Sequence, residues 1–283
     1  MTLEPQEGGD QEDRVVVVTG VGGMGLAVAR RMGPGSILVL ADIDSNALQV
    51  AAVELQAEGH RVVVQVTDVS DGESVTELAN QAVGLGRVEV LVHTAGVSPV
   101  QASVEAILNV DLLGTALILD AFGSRIAPGG AGVVIASMAG SMSGNDPEWE
   151  RLLATTPTLD LLALPELSSE RLSNPGAAYQ VAKRANQVRV RAASLIWGRR
   201  SARVNSISPG VISTPMGNAE LNGPVGELMR EMIASSPTGR LGTPSDIAAA
   251  VQFLAGPEAS FITGTDLLVD GGVVAAMLAS PSL

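Results

Sequence analysis

The 283-residue chain reads as a single-domain α/β fold, a doubly wound parallel sheet of about seven strands with helices on both faces and an inserted helical segment. Three observations predict it. Short runs of aliphatic and β-branched residues alternate with segments of helical spacing. A glycine-rich turn joins the first such run to the first helix. Neither a linker nor an internal repeat interrupts the alternation. Residues 14–283 then form one domain, 144–176 being an inserted lid or interface segment, and the acidic residues 1–13 form a disordered tail.

The first strand, Val15-Val16-Val17-Val18, is apolar on both faces, as a parallel strand between two helical layers must be. Thr19-Gly20 ends it, and residues 25–32 carry helical periodicity. Ile37 to Ala41 form a second buried strand ending in Asp42. A helix over 45–56 leads to a strand over 61–66 that ends near Asp68-Val69. A helix over 73–83, a strand over 88–93, a long helix over 104–125 and a strand over 132–137 follow. The irregular stretch 144–176 holds Trp149 and the leucines 152, 153, 159, 161, 162, 164 and 167, partly at helical spacing. The alternation resumes with a helix reaching Trp197, a strand over 203–207, mixed segments to Ala255 and a last strand over 266–269.

Composition narrows the functions. A net charge of -13 argues against nucleic acid or an anionic membrane surface as partner, since phosphate binding needs clustered Lys and Arg. The absence of cysteine removes disulfides, thiolate catalysis and thiolate-bound metal, and accords with a reducing, cytoplasmic setting. Two histidines, His60 and His93, are too few and too scattered for a histidine metal site, so no metal is expected. No apolar stretch reads as long enough to span a membrane.

Gly20, Gly22 and Gly25 fit G-x-G-x-x-G between a strand and a helix, with Gly23 and Met24 completing the turn. One glycine serves the tight turn, one the close approach of a pyrophosphate and one the packing of the helix, whose N-terminus favours an anion. Asp42 lies 22 positions after Gly20. A carboxylate there accepts hydrogen bonds from the adenosine ribose and repels a 2'-phosphate, which favours NAD over NADP. The same acid also suits a helix cap, with Asp44 and Asn46 beside it. Tyr179 and Lys183, four positions apart on a helix, share a face. An ammonium close to a phenol favours the phenolate, a general base.

On these motifs the chain resembles the short-chain dehydrogenases/reductases over residues 15–274. The matches are the Thr19-Gly20 turn, Asp42, Asp68-Val69, Ala95-Gly96, Ile135-Ala136-Ser137, Tyr179-x-x-x-Lys183, Asn205, Ser208-Pro209-Gly210 through Thr214, and Val269-Asp270-Gly271-Gly272. The resemblance implies a Rossmann fold, NAD as cofactor, and interconversion of a secondary alcohol and a ketone by hydride transfer. Tyr179 would be the base, Lys183 would lower its pKa and hold the nicotinamide ribose, and Ser137 would donate to the reacting oxygen. Asp68 and Val69 would flank the adenine, Ala95 and Gly96 line the cofactor, and Ile212 and Thr214 hold its carboxamide. The four-residue Tyr–Lys spacing speaks against enoyl reduction. A non-catalytic NAD-binding sensor or scaffold is the other reading.

Departures from the family pattern fall at three places. The glycine turn is one residue shorter than the common form. His93-Thr94 replaces two asparagines, His93 being read as a satisfied strand-end residue. The family's catalytic asparagine aligns with Asp111, because Asn109 would point about 200° away around the helix; Asp111 is expected to retain the proton relay. The insertion between Ser137 and Tyr179, the short 97–102 connection and the ending of the chain are similar to the bacterial 3α-hydroxysteroid dehydrogenase/carbonyl reductase branch. That likeness implies a hydrophobic alicyclic alcohol or ketone as substrate, with Trp149 and Met216 as contacts. A homotetramer, or a homodimer, is the family expectation, packing through helices 104–125 and 179–197. Trp197 is assigned to the core.

Overall fold

The structure, a computed structural model, describes residues 12–142, 146–168, 171–172 and 174–279. In chain order its elements are β1 Arg14–Thr19, α1 Gly23–Met32, β2 Ile37–Asp42, α2 Ser45–Ala57, β3 Arg61–Val66, α3 Gly72–Leu85 and β4 Arg87–His93. A long helix, α4, runs over Val104–Gly123. Next come β5 Ala131–Ile135, the single turn α5 Met138–Ser141, α6 Pro147–Thr155, α7 Pro175–Gly198, β6 Arg203–Pro209, α8 Pro215–Leu221, α9 Gly226–Ser235, α10 Pro244–Ala255, β7 Asp266–Val269 and α11 Val273–Ala279. All seven strands are parallel, in the order β3-β2-β1-β4-β5-β6-β7. The chain winds outward from β1 to β3, returns to β4 and winds the other way, so the switch point lies between β1 and β4, where an open α/β sheet binds its ligand.

The valine run of β1 explains the three layers. Val15 and Val17 pack with Val75, Leu78, Ile118, Phe122, Val190 and Trp197 of α3, α4 and α7 on one face. Val16 and Val18 pack with Val28, Leu48, Leu55, Ile247 and Val251 of α1, α2 and α10 on the other. Trp197, wholly buried as expected, donates its indole N–H to the Leu119 carbonyl at 3.2 Å. A Cβ on Gly132 would lie 2.6 Å from its ring, so β5 is glycine where the indole lies flat against it.

The structure bears on three sequence expectations. Most of the acidic tail lies outside the described residues, but its last residue is held: Asp13 pairs with Arg61 at 2.7 Å and its carbonyl accepts the Arg87 N–H at 2.9 Å. The chain does contain a helix of membrane-spanning length and hydropathy, α4 with mean hydropathy 1.6. It is 61% buried within the protein, packed in the layer beside the sheet, so its apolarity serves the core. The inserted segment is firmly docked where it is described. Leu153, Leu161, Leu167 and Leu172 are buried against α4 and α7. The Arg189 guanidinium donates to the carbonyls of Leu153 and Thr156 and to the Thr158 hydroxyl, and that hydroxyl bonds Asp120 of α4. Leu159, by contrast, is 89% exposed.

Trp197→Ala is expected to lower the unfolding free energy by about 3–5 kcal/mol, the usual cost of deleting a fully buried aromatic residue. A denaturant titration followed by circular dichroism measures it; a loss below about 1 kcal/mol would show that α7 and β5 can close the void.

Candidate active site

At the switch point the turn from β1 to α1 is shaped by close approach. Gly20 has φ +84°, and its Cβ would stand 2.6 Å from the Ala95 nitrogen. A Cβ on Gly25 would fall 1.8 Å from the Gly20 oxygen, so strand and helix can approach this closely only with glycine there. Nothing of the protein lies within 4 Å of a Cβ placed on Gly22, the residue before the first turn of α1. That space belongs to a cleft of about 430 Å³.

Gly20, Gly22, Gly23, Met24, Gly25, Asp42, Asp68, Val69, Ala95, Gly96, Thr214 and Met216 line the cleft, together with Ile43, Thr67, Thr94, Val97, Val110 and Pro215. Asp42 accepts the Val21 N–H at 2.8 Å and the Asp44 N–H at 3.0 Å, which fixes its carboxylate at the rim of the glycine turn. The helix cap is instead Asp44, whose side chain accepts from Asn46 and Ala47. Asp68 uses one carboxylate oxygen on the Ser70 N–H and hydroxyl, stiffening the loop after β3. The Ile212 side chain is buried in the core with Ile207 and Ile247, away from the cleft lining. Only its backbone faces Thr214, accepting that residue's N–H at 2.8 Å. The glycine cradle and the acid at the end of β2 fit a dinucleotide, and no cleft residue among those described is cationic.

Beyond Gly96 stand the ionisable residues. The middle of α4, Leu108–Gly114, is wound as a π-helix, a wider turn that recurs at functional sites. It carries Asp111 inward, while Asn109 bonds back to the Glu105 carbonyl on an exposed surface. Asp111 is fully buried; its Oδ1 receives Lys183 Nζ at 3.2 Å and the Val97 N–H at 3.2 Å, and its Oδ2 has no hydrogen-bond partner. Gly96 must be glycine beside this pair, for its Cβ would lie 2.5 Å from Asp111 Oδ1 and 3.3 Å from Lys183 Nζ. Lys183 Nζ lies 5.3 Å from the centre of the Tyr179 ring. Ser137, two residues past β5, caps α5, its hydroxyl accepting the Ala139 N–H at 3.2 Å and reaching the Tyr179 phenol.

The electrostatics differ from the simple pairing of phenol and ammonium. Burial raises the Tyr179 pKa above its ordinary value; Lys183 and the Ser137 hydrogen bond pull it down, while the charges of Asp111 and Glu220 push it up. Burial also raises the Asp111 carboxyl, against the pull of Lys183 and the Val97 amide. Burial disfavours the Lys183 cation, yet Asp111 and Tyr179 outweigh it, and the ammonium is held above its usual range.

Thr94 and Thr115 carry a framework that the sequence did not disclose. Thr94 Oγ1 lies 2.9 Å from both the Thr19 and Gly20 carbonyls, clamping the glycine turn. Thr115 Oγ1 donates to the Asp111 carbonyl at 2.9 Å, so the His93 Nε2 3.1 Å away must be the donor to Thr115. His93 Nδ1 then accepts from the Thr19 hydroxyl at 2.7 Å. Burial, aided by the Lys183 charge, pulls the His93 pKa down to about 3. The imidazole is thus a neutral brace between β1 and the π turn. The only hint was its place in His93-Thr94-Ala95-Gly96, where asparagines were expected. On the substrate side, Met216 lines the cleft, whereas Trp149 packs in the apolar cluster that includes Val97, Leu162, Leu164 and Tyr179.

Residues 14–147 match the family model described as short chain dehydrogenase, and residues 156–274 the one described as enoyl-(acyl carrier protein) reductase. The short-chain dehydrogenase/reductase bsc3 of Alternaria brassicicola is 42% identical over 263 residues, covering 92% of this chain and 95% of its own. The chain belongs to the short-chain dehydrogenase/reductase family. Its relatives include the 3-alpha-hydroxysteroid dehydrogenase/carbonyl reductase of Comamonas testosteroni, 30% identical over 86% of this chain and 98% of that one. The crystal structure of gox2181 superposes with a TM-score of 0.75 at 27% identity, covering 93% of this chain and 96% of that one. Membership makes the protein an oxidoreductase of alcohols or ketones that takes a nicotinamide cofactor.

Two pH experiments follow. Removing the Asp111 charge lowers the Tyr179 pKa, so Asp111→Asn is expected to move the limb on which alcohol oxidation rises with pH to lower pH; an unmoved limb would uncouple the two groups. His93 keeps its proton in the unfolded chain below pH 6.5 but gives it up on folding until about pH 3. The fold therefore loses stability as pH drops through that window, and His93→Gln should remove that share of the slope in urea titrations at a series of pH values. Equal slopes in both proteins would refute it.

Proposed function

We propose that the protein is an NAD-dependent dehydrogenase/reductase that interconverts a secondary alcohol and its ketone, with a hydrophobic alicyclic substrate such as a hydroxysteroid or terpenoid. The observation that carries this reading is the Ser137–Tyr179–Lys183–Asp111 cluster standing directly behind Gly96 of the dinucleotide cleft. Bound nicotinamide supplies or accepts the hydride. The Tyr179 phenolate oxygen takes the carbinol proton in oxidation, and the phenol returns it to the alkoxide in reduction. Ser137 Oγ donates to the substrate oxygen as negative charge develops there. Lys183 offsets part of the cost of holding charge on a buried phenol, and Asp111 fixes the ammonium.

Asp42 supports NAD over NADP: two backbone amides hold a carboxylate at the end of β2 that would repel a 2'-phosphate, and no cleft residue among those described could neutralise one. Val97 and Met216 on the cleft, with Trp149, Leu162 and Leu164 in the cluster around Tyr179, support an apolar substrate body, as does kinship with a protein named for 3α-hydroxysteroids. Leu195 and Ile196, 74% and 52% exposed on α7, favour a homotetramer or homodimer packed through that helix. Its cysteine-free composition suits the cytoplasm.

The test follows absorbance of the reduced cofactor with NAD or NADP and a panel of cyclic secondary alcohols. Turnover with NAD is expected, at least about tenfold better than with NADP, and Asp42→Asn should narrow that ratio. Tyr179→Phe should lower kcat by about 100-fold or more while dinucleotide binding persists. A variant that keeps its turnover, or a preference for NADP, would overturn the corresponding assignment.

A further inference from the structure

We infer that Glu220 is a specificity-determining residue, held by Ser98 at the substrate end of the cleft to receive a second hydroxyl group, so that the substrate is a diol on an otherwise apolar skeleton. This rests on the preceding reading that a carbinol reacts at Tyr179. Ser98 stands two residues beyond Gly96 and is 1% exposed. Its hydroxyl accepts the Val100 N–H at 3.2 Å and donates to Glu220 Oε1 at 2.6 Å. Glu220 lies on α8, the helix that Thr214 caps and that carries Met216. The bond therefore joins the two walls of the cleft, that of Val97 and that of Thr214 and Met216. Gly223, just past α8, presses on the same loop, for its Cβ would lie 3.3 Å from Val100 Cγ1.

Glu220 is half-buried and, among the described residues, its carboxylate has no ion-pair partner and no hydrogen-bond partner besides Ser98. Glu220 follows the cleft residue Met216 by one helical turn on α8, so the two side chains share a face, and its charge reaches the Tyr179 phenol. The side chains of Val97 and Met216 on the cleft and of Val100 beside Ser98 offer Glu220 no donor. A carboxylate in such a place loses hydration when a ligand covers it, and a plain hydrocarbon skeleton returns nothing. A second hydroxyl would donate to the oxygen that Ser98 leaves free, a charge-assisted bond. An anionic substrate would be repelled. Sites built to bond a hydroxyl discriminate strongly against the analogue that lacks it, because the protein group is then stripped and unpaired.

The experiment measures kcat/KM with NAD for cyclohexanol, the 1,2-cyclohexanediols and 2-aminocyclohexanol, on the wild-type protein, Glu220→Gln and Ser98→Ala. Wild-type protein is expected to prefer a diol to cyclohexanol by at least about tenfold. Glu220→Gln should cut the diol-to-cyclohexanol ratio at least tenfold, and Ser98→Ala should cut it less. Dinucleotide affinity, measured on each variant, reports that the fold is retained. A ratio unchanged in Glu220→Gln, a wild-type preference for cyclohexanol, or a preference for the amino alcohol that Glu220→Gln abolishes would each overturn the diol assignment. Absence of turnover on every alcohol would instead overturn the alcohol-dehydrogenase reading beneath it.

Discussion

The site depends on burying one cation and one anion together. Lys183 and Asp111 have side chains only 6% and 0% exposed, 3.2 Å apart. Neither charge is tolerable there without the other, since removing one partner of a buried pair costs about 3–5 kcal/mol. Much of the local architecture follows from accommodating the pair. The π turn carries Asp111 inward, Gly96 leaves room for both groups, and the Val97 amide supplies a second donor to Oδ1. The Thr115–His93–Thr19 chain then ties that turn to β1 through β4, the central strand. Glycine turn and catalytic cluster are thereby anchored to one strand and cannot shift independently.

The same economy governs the inserted segment. A long excursion beside a reaction centre has to bury its own apolar residues, and here four leucines do so against α4 and α7. Its polar backbone would still be left unsatisfied in places. Arg189 meets two of those carbonyls from within α7, and Arg184 pairs with Glu150 of α6. The helix that carries Tyr179 and Lys183 is therefore also the helix that holds the insertion, so the segment buttresses the base from outside.

Legibility in the sequence followed the range of the interactions. The valine run of β1, the glycines of the turn and Asp42 were readable because their roles are set by nearest neighbours and by period. Tyr179 and Lys183 were readable from a four-residue spacing. The π turn was not, because Leu108–Gly114 carries no proline or glycine pattern that distinguishes it from ordinary helix until its final residue; tertiary packing around Asp111 selects it. The direction of the Ile212 side chain was not readable, because a motif fixes a backbone position without fixing which way the side chain turns. The apolar run of α4 passed unnoticed as a long hydrophobic segment because Asp111, Asp120 and two glycines interrupt it, yet its average remains high. Thr94, His93 and Thr115 act across 74 and 22 positions of sequence, a range at which no local pattern operates.

The balance of charge around Tyr179 bears on direction. One cation, Lys183, draws its pKa down, while burial and two carboxylates, Asp111 and Glu220, raise it. The free protein accordingly rests with the phenol protonated at neutral pH, the form that gives a proton to an alkoxide. The same arrangement is a poor base until something offsets the negative charge. On the proposed reading, a hydroxyl donating to Glu220 would weaken one of the two carboxylate contributions that raise the phenol. The balance would then tilt toward the phenolate with substrate in place, so proton abstraction and substrate binding would be coupled through Glu220.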